Sequence, residues 1–430
     1  MNELFFILGL TILTGFLSTI ISERTRVSQV LLLMLFGFLL GPASGIVDAS
    51  EDSVIVSLLP FLSTLALIVL LFDGGMSFDM FSLARAIPRS TAFSVATFLS
   101  GAIFIGLAAA LMLGWPPIHG LLLGTVLGGT SSAIVIAMAE RTGVSKETKS
   151  LLAVESTLTD AFCIIMAVIV INLIQADRLP EAGDFIHNLL SSFTLAMVVG
   201  AFSALAWMFL VSRFKVQKYS YMLTLALVFG LFAFTDAIRG NGGFAVFVFG
   251  LMLGNAEELD KYLKWKIHRP IGRAIKIFQE EMTFFVRTFF FVYMGLLLAP
   301  SYFGFHVLAV SVVVLALIAA SRLLSKRLLL NDFPKRDANV AVAMMPRGLA
   351  AAVLATLPLT YGIAIPIFRE LAFASILLTN IAATVGVFLL DKDEEKKTES
   401  EKLTEAVEAA EKEPEEPPEA KEAEGSDKRL

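Results

Sequence analysis

Two acidic residues lie close together inside one long apolar stretch of this chain. Glu155 and Asp160 fall in the run from about 149 to 174, which is long enough to cross a bilayer because about 20 apolar residues span its core. A carboxylate at the centre of a membrane costs about 2.5 kcal/mol or more. Such an acid therefore indicates a site that handles an ion or a proton within the membrane.

The composition is that of a membrane protein. The 430 residues are 56% hydrophobic and 17% charged, with a mean hydropathy of +0.77, whereas soluble domains are about 45–50% apolar and about 25% charged. The single cysteine, Cys163, excludes an internal disulfide and a cysteine-rich metal site. No phosphate-binding loop, nucleotide-binding pattern or nucleic-acid patch is evident. We therefore expect no enzyme activity, no cofactor and no nucleic-acid partner.

The pattern of apolar runs predicts an all-α polytopic protein that crosses the cell membrane many times. About thirteen segments qualify, with ends that spacing fixes only to a few residues. They are 4–22, 28–46, 54–72, 91–114, 118–140, 149–174, 189–212, 219–236, 241–256, 281–300, 304–330, 338–360 and 366–390.

The connections between these segments alternate in charge. Lysine and arginine are concentrated in the odd-numbered connections, and cytoplasmic loops are rich in these residues. This predicts an N-terminus outside and a C-terminus inside. Residues 1–390 would form the transmembrane domain, in which 257–280 is a basic linker lying on the membrane surface. Residues 391–430 would form an acidic, largely disordered cytoplasmic tail.

Two of the apolar segments contain residues that break helices. Segment 118–140 is interrupted by Gly-Gly-Thr-Ser-Ser at 128–132, and segment 338–360 by Met-Met-Pro-Arg-Gly at 344–348. Unwound backbone at membrane depth persists only where protein or a water-filled cavity surrounds it. The two segments are seven spans apart and run in opposite directions. This predicts inverted repeats with two crossing discontinuous helices, the architecture of a transporter.

The rise of a helix places several polar residues at similar depths in the membrane. Thr130 lies roughly 18 Å from the outer end of its segment, and Asp160 and Arg347 lie roughly 16 and 14 Å from the inner ends of theirs, so all three are close to the midplane. The same arithmetic puts three residues nearer the inner surface: Glu155, Arg322 and Arg287.

Glu155 and Asp160 differ by about 140° in direction around their helix, so they are not predicted to share one ligand. A buried charge without a partner is strongly unfavourable. We therefore predict that Glu155 pairs with an arginine, Arg322 first and Arg287 or Arg347 next. Asp160 then remains to exchange its proton.

Together these residues resemble the monovalent cation:proton antiporter family, in particular NhaP/NHE-type sodium/proton antiporters. The matching stretches cover most of the membrane part of the chain. They are Leu-Leu-Phe-Asp-Gly-Gly at 70–75, Glu155-Ser156 with Asp160, the phenylalanine-rich run 289–296 ending in Gly-Leu, Arg322, and Pro-Arg-Gly-Leu at 346–349.

The resemblance implies exchange of a monovalent cation, Na⁺ first, for a proton that competes for Asp160, with a role in pH homeostasis. Asp160, Ser156 and Thr130 would hold the ion. Ser156 lies one turn before Asp160, and unwound backbone would bring the hydroxyls of Thr130 and Ser131. Thr159 and Asp73 complete the expected site, Asp73 as an acid in the inner funnel. The resemblance also implies a homodimer.

Two departures from the family pattern leave the identity of the ion open. Thr159 stands where sodium/proton members have asparagine, and Thr130-Ser131-Ser132 stands where many carry Thr-Asp-Pro. Potassium is therefore the alternative cation. The site has one aspartate where the electrogenic branch has two adjacent ones, which implies electroneutral exchange of one cation for one proton.

Two functions of other classes remain to be compared. A sodium-coupled carrier of an organic solute would need a polar cavity for that solute. An intramembrane aspartyl hydrolase would need two facing aspartates as an acid–base pair. Asp160 has no second aspartate at the midplane of the sequence-based arrangement, so hydrolysis is disfavoured.

Overall fold

The computed structural model describes residues 2–25, 27–47, 59–78, 88–176, 182–214, 220–263, 272–298 and 304–412, and in these ranges the regular structure is helical. Each predicted apolar segment coincides with one helix or with a pair of helices separated by a break. The first seven helices are α1 (Asn2–Thr25), α2 (Gln29–Phe38, continued by the π-helical turn Leu39–Ala43), α3 (Leu59–Ser77), α4 (Pro88–Leu113), α5 (Pro117–Leu127), α6 (Ser132–Arg141) and α7 (Lys146–Ala176).

The remaining helices include the second discontinuous pair. They are α8 (Ala182–Phe214), α9 (Ser220–Ala237), α10 (Gly242–Gly254), α11 (Ala256–Leu263), α12 (Gly272–Leu296), α13 (Phe305–Leu329), α14 (Lys335–Ala343), α15 (Leu349–Thr360) and α16 (Phe368–Lys412). Within the described residues, six helical spans are long and apolar enough to cross a membrane by themselves, and shorter apolar helices supplement them. The protein is therefore a multi-pass membrane protein.

Both predicted helix breaks are present. The first separates α5 from α6 at Gly128–Ser131, and the second separates α14 from α15 at Met344–Gly348. Pro346 lies in the second break, where its missing amide removes a helical hydrogen bond. The prediction of two discontinuous helices is confirmed.

Contacts divide the described helices of residues 1–387 into two groups. In one group α4 packs against α5, α7 and α13, while α14 packs against α13 and α7. In the other group α10 packs against α3, α8 and α9, while α12 packs against α1, α2 and α3. The groups meet where α3 contacts α7 and α15. Through its contacts with α7, α6 joins the first group, which carries Asp160, whereas α15 contacts both groups, α5 and α7 in the first and α3 and α12 in the second.

Glycines allow close packing inside the second group. A Cβ atom on Gly37 of α2 would lie 2.0 Å from the carbonyl oxygen of Val292 and 2.9 Å from the Cα atom of Gly295. Gly41, four residues later, faces Leu296 of the same helix α12. The Gly37-x-x-x-Gly41 pattern therefore serves packing within the chain, as small residues do between membrane helices.

The helix that carries Asp160 is anchored at its N-terminus by another acid, which the sequence did not reveal. Oδ2 of Asp337, in the first turn of α14, accepts hydrogen bonds from the amide of Ser145 (3.0 Å), the hydroxyl of Ser145 (2.5 Å) and the hydroxyl of Thr148 (2.8 Å). Ser145 immediately precedes α7, so the carboxylate satisfies a free amide at a helix start. This contact joins α7 to the second broken helix.

Two predicted regions lie partly outside the described residues. Of the basic linker 257–280, the structure describes α11 and the start of α12 but not 264–271. Of the tail 391–430, the structure describes a helix that continues to Lys412, and the prediction of a largely disordered cytoplasmic tail stays a prediction for 413–430.

Candidate functional site

Asp160 is held by the beginning of α6. Its Oδ2 accepts a hydrogen bond from the backbone amide of Ser132 (3.0 Å) and another from the hydroxyl of Ser132 (2.8 Å). Ser132 is the first residue of α6, and Ser131 before it is extended, with φ −79° and ψ 116°. A helix N-terminus has free amides and a partial positive charge, so this geometry suits a carboxylate or another anion.

Asp160 also faces a cavity of about 100 Å³ between the two helix groups. This volume accommodates several water molecules or a monovalent cation with part of its hydration. Besides Asp160, the polar residues of the lining are Asp73, Ser77, Ser131, Ser132, Thr157, Thr283 and Arg287. The cavity thus combines carboxylate and hydroxyl oxygens, the ligands that hard cations take.

One end of the cavity points to the predicted cytoplasmic side. Ser77, the last residue of α3, is part of the lining. Arg85 in the connection that follows α3 and Arg89 at the start of α4 predict a cytoplasmic location. The sequence-based orientation therefore predicts that the cavity is reached from the inside.

Asp73 and Arg287 belong to the same cavity. Asp73 lies on α3 and Arg287 on α12, and the two opposite charges attract each other. Asp73 is also close enough to Asp160 for the two carboxylates to repel when both are ionised. Arg287 thus lies beside Asp73 rather than Glu155, contrary to its place among the possible Glu155 partners. It offsets part of the negative charge that two acids bring to one cavity.

Glu155 and Arg322 form a buried, bidentate ion pair. Nη1 of Arg322 lies 2.6 Å from Oε1 of Glu155, and Nη2 lies 2.9 Å from Oε2. The side chains of Arg322 and Glu155 are only 2% and 1% exposed, respectively. The same guanidinium donates from Nε and Nη2 to the carbonyl of Ala341, at 3.0 and 2.6 Å. Because Ala341 lies near the end of α14, the pair connects α7 and α13 to the second broken helix and satisfies a free carbonyl there.

Arg347 binds backbone carbonyls rather than Glu155, for which it was a possible partner. Its Nε donates to the carbonyl of Leu127 at 2.6 Å and its Nη1 to the carbonyl of Met345 at 3.2 Å. Leu127 is the last residue of α5, so the guanidinium stabilises the negative end of that helix dipole. Arg347 therefore bridges the two breaks through backbone carbonyls.

The backbone groups freed by the first break find partners on α7. The amide of Gly129 donates to Sγ of Cys163 (3.1 Å), and the amide of Thr130 donates to Oγ1 of Thr159 (3.1 Å). The amide of Ser131 donates across to the carbonyl of Pro346 in the second break (3.0 Å). The breaks thus cross each other in direct contact.

The backbone groups freed by the second break find hydrogen-bond partners on α16, as those of the first break do on α7. The backbone amide of Arg347 donates to Oγ1 of Thr379 (3.4 Å), and the side-chain amide of Asn380 donates from Nδ2 to the carbonyl of Arg347 (2.7 Å). Thr379-Asn380 therefore has the same relation to the second break as Thr159-Asp160 has to the first. This correspondence is what inverted repeats produce, with an amide in the second repeat where the first has its carboxylate.

The hydroxyls around Asp160 differ from the set expected from spacing. Ser156 is fully buried and donates to the carbonyl of Ala153 (3.2 Å), while Thr157 lines the cavity. Thr130 and Thr159 are buried against each other, with their hydroxyl oxygens 3.5 Å apart. Ser131 lines the cavity as expected. The sequence predicted Ser132 only as part of the break, whereas the structure shows that it binds the carboxylate of Asp160. Its position at the start of a helix is the sequence feature that could have identified this role.

A Cβ atom at either glycine of the crossing has no room. On Gly348 it would lie 2.1 Å from Oγ of Ser131, and on Gly129 it would lie 2.6 Å from Sγ of Cys163. We expect Gly348→Ala to push the two breaks apart and Gly129→Ala to push the first break away from α7, and we expect both to abolish transport, with a lower melting temperature of the purified protein. Gly230→Ala is the control, because nothing lies within 4 Å of its added Cβ. Normal transport by both crossing variants would show that the contact is not required.

Comparison with known proteins places this architecture in a family. Residues 9–392 match the sodium/hydrogen exchanger transmembrane family, so the chain belongs to that family of transporters. The structure of the sodium proton antiporter MjNhaP1 from Methanocaldococcus jannaschii at pH 8 is similar, with a TM-score of 0.72 at 21% identity, over 90% of this chain and 98% of that one. The antiporter fold is thereby established.

Curated relatives are similar at lower coverage. The K(+)/H(+) antiporter NhaP of Alkalimonas amylolytica is 24% identical over 367 residues, which are 84% of this chain and 61% of that protein. The probable Na(+)/H(+) antiporter 2 of Methanocaldococcus jannaschii is 23% identical over 306 residues, 69% of this chain and 70% of that protein. The chain thus spans about three-fifths of the length of the first of these relatives.

Proposed function

We propose that the protein exchanges a monovalent cation for a proton across the membrane, and that the two compete for Asp160. The observation that carries this proposal is the position of Asp160 beside a cavity of about 100 Å³ at the crossing of two broken helices. A carboxylate there holds either a proton or a cation, and burial makes an empty, ionised carboxylate unfavourable. The loaded site is neutral with either occupant, which couples the two flows.

The movement that this mechanism needs has a structural counterpart. Asp160 and α6 belong to one group of helices and Asp73 and Arg287 to the other, and the cavity lies between the groups. Rocking of one group against the other would close the cytoplasmic end and open the opposite one. Asp73 would attract cations into the inner funnel, with Arg287 moderating its charge.

The transported cation is proposed to be Na⁺, with K⁺ as the second candidate. Carboxylate and hydroxyl oxygens bind either ion, and the names of the relatives include both activities. The site contains Asp160 as its carboxylate, with hydroxyls offered by Ser131 and Thr157, while the hydroxyl of Ser132 donates to Asp160 itself. Thr130, Ser156 and Thr159 would join the ion only after a rearrangement of the break. Exchange is proposed to be electroneutral, in a homodimer with one site in each protomer.

A sodium-coupled carrier of an organic solute fits less well. Small-molecule sites generally measure about 300–1,000 Å³, whereas this cavity measures about 100 Å³. The polar groups that line the cavity are also only enough to bind one small ion.

The function is tested by reconstituting the purified protein in liposomes that contain a pH-sensitive dye. Na⁺, K⁺ or Li⁺ is added in turn, with choline as the control cation. We expect Na⁺ to drive proton efflux and choline to drive none. Flux with K⁺ alone would move the assignment to the second candidate, and absence of flux with every cation at every pH would contradict the proposal. Electrical recording from supported membranes should detect no transport current if the exchange is electroneutral.

A further inference from the structure

Ser132 makes an unusual double contact with the proposed proton carrier. Both hydrogen bonds that hold Asp160 come from this one residue, from its amide at 3.0 Å and its hydroxyl at 2.8 Å, and both reach Oδ2. Hydrogen bonds to an ionised acceptor are about twice as strong as those between neutral groups. Ser132 therefore favours the empty, ionised form of Asp160 over the form that carries a proton.

The two donors are not equivalent. A backbone amide can only donate, so it stays paired with the protonated acid only while the proton is on Oδ1, and it then donates to a neutral oxygen. A hydroxyl has one hydrogen and two lone pairs, so it can turn and accept a hydrogen bond from the protonated acid. The amide therefore discriminates between the two forms of Asp160 more sharply than the hydroxyl does.

Other charged groups act on the same carboxylate and define its background. Asp73 of α3 repels it, while Arg347 of the second break attracts it. Arg287 of α12 lines the shared cavity, and Cys163 lies one turn along α7. These groups are unchanged when Ser132 is replaced, so a Ser132 series isolates the effect of its two donors.

We infer that Ser132 is a positioning residue that stabilises ionised Asp160 and thereby sets the pH range of exchange. This inference rests on the proposed competition at Asp160. Without the two donors, Asp160 holds its proton to a higher pH, so exchange begins at a more alkaline pH. The cation then competes with the proton only in that more alkaline range.

Proline can replace Ser132 with little strain, which makes the amide testable. Ser132 is the first residue of α6, where proline is well tolerated because the amide has no helical partner. Ser131 before it is extended, as residues preceding proline prefer to be. Ser132→Pro removes both donors, whereas Ser132→Ala removes only the hydroxyl and Ser132→Thr keeps both.

The test is cation-driven proton flux in liposomes across a pH series for the full-length wild type and the three variants. We expect the pH of half-maximal flux to rise by about one unit in Ser132→Ala and further in Ser132→Pro, since each lost bond to a charged group is worth about a tenfold change in equilibrium. Ser132→Thr should keep the wild-type profile. Ser94→Ala is the matched control, a buried hydroxyl that donates to the carbonyl of Ser90 on its own helix.

Each outcome decides one question. The inference is supported if the pH of half-maximal flux rises most in Ser132→Pro, less in Ser132→Ala and not at all in Ser132→Thr, with comparable maximal rates. An unshifted profile in a folded Ser132→Pro protein, or an equal shift in Ser94→Ala, overturns it. If Ser132→Pro does not fold by size-exclusion chromatography, the contrast between Ser132→Ala and Ser132→Thr decides in the same way. Wild-type protein without any cation-driven flux would instead contradict the proposed function itself.

Discussion

Asp160→Asn is expected to reduce cation-driven proton flux to the level of protein-free liposomes while the protein still folds. The amide has nearly the same shape and can still accept hydrogen bonds from Ser132 through its oxygen. It carries no charge to bind a cation and no proton to exchange. The measurement compares flux with the melting temperature of the same preparation, so that loss of transport is separated from loss of folding.

A surface aspartate provides the control for this change. Asp332 pairs with Arg89 at 2.7 Å, but its side chain is 74% exposed, and such pairs contribute little. Asp332→Asn should therefore transport normally. If Asp160→Asn also transported normally, another group would have to carry the proton, and Asp73, the other carboxylate of the cavity, would be examined next.

Arg322→Ala is expected to destabilise the protein by about 3–5 kcal/mol, the usual result of removing one partner of a buried ion pair. The change leaves the carboxylate of Glu155 buried without its partner, and it deprives the carbonyl of Ala341 of two donors. We expect low yield and a large fall in melting temperature in detergent. Because α7, α13 and α14 meet at this pair, transport should fall as well.

The exposed pair of Arg89 and Asp332 is the control that distinguishes the loss of a buried charge from the loss of a surface charge. Arg89→Ala removes an arginine from a solvent-exposed pair and should change stability by no more than about 1 kcal/mol. The double change Arg322→Met with Glu155→Leu should recover part of the stability, because no unpaired charge remains. A melting temperature for Arg322→Ala equal to that of the wild type would show that the pair is not needed to hold the three helices together.

The features that were predictable from the sequence are charges and helix-breaking residues inside apolar segments, because both are energetically unfavourable within a membrane. Charges stand out in apolar runs, so Asp160, Glu155 and Arg322 were identifiable, and the preferred pairing of Glu155 with Arg322 is the one found. Pro346 and the two glycines at 128–129 interrupt helices for local reasons, which located both breaks. Helical rise then gave the common depth of the site.

The features that were not predictable depend on how an unwound backbone turns. Spacing placed Ser156 on the face of Asp160, but the break brings Ser132 to the carboxylate instead. The sequence predicted a carboxylate as a possible partner of Arg347, whereas its guanidinium binds a backbone carbonyl at the end of a broken helix. The hydrogen bonds of Asn380 to the second break follow from the crossing of distant segments, which no local pattern encodes.

The most direct test of competition at Asp160 is the apparent KM for the cation measured over a range of pH in reconstituted vesicles. If proton and cation compete for one carboxylate, lowering the pH below the working range raises the apparent KM by about tenfold per unit, and saturating cation restores the same maximal rate. An apparent KM that stays constant while the maximal rate falls with pH would contradict the account, because the proton would then act at a separate site.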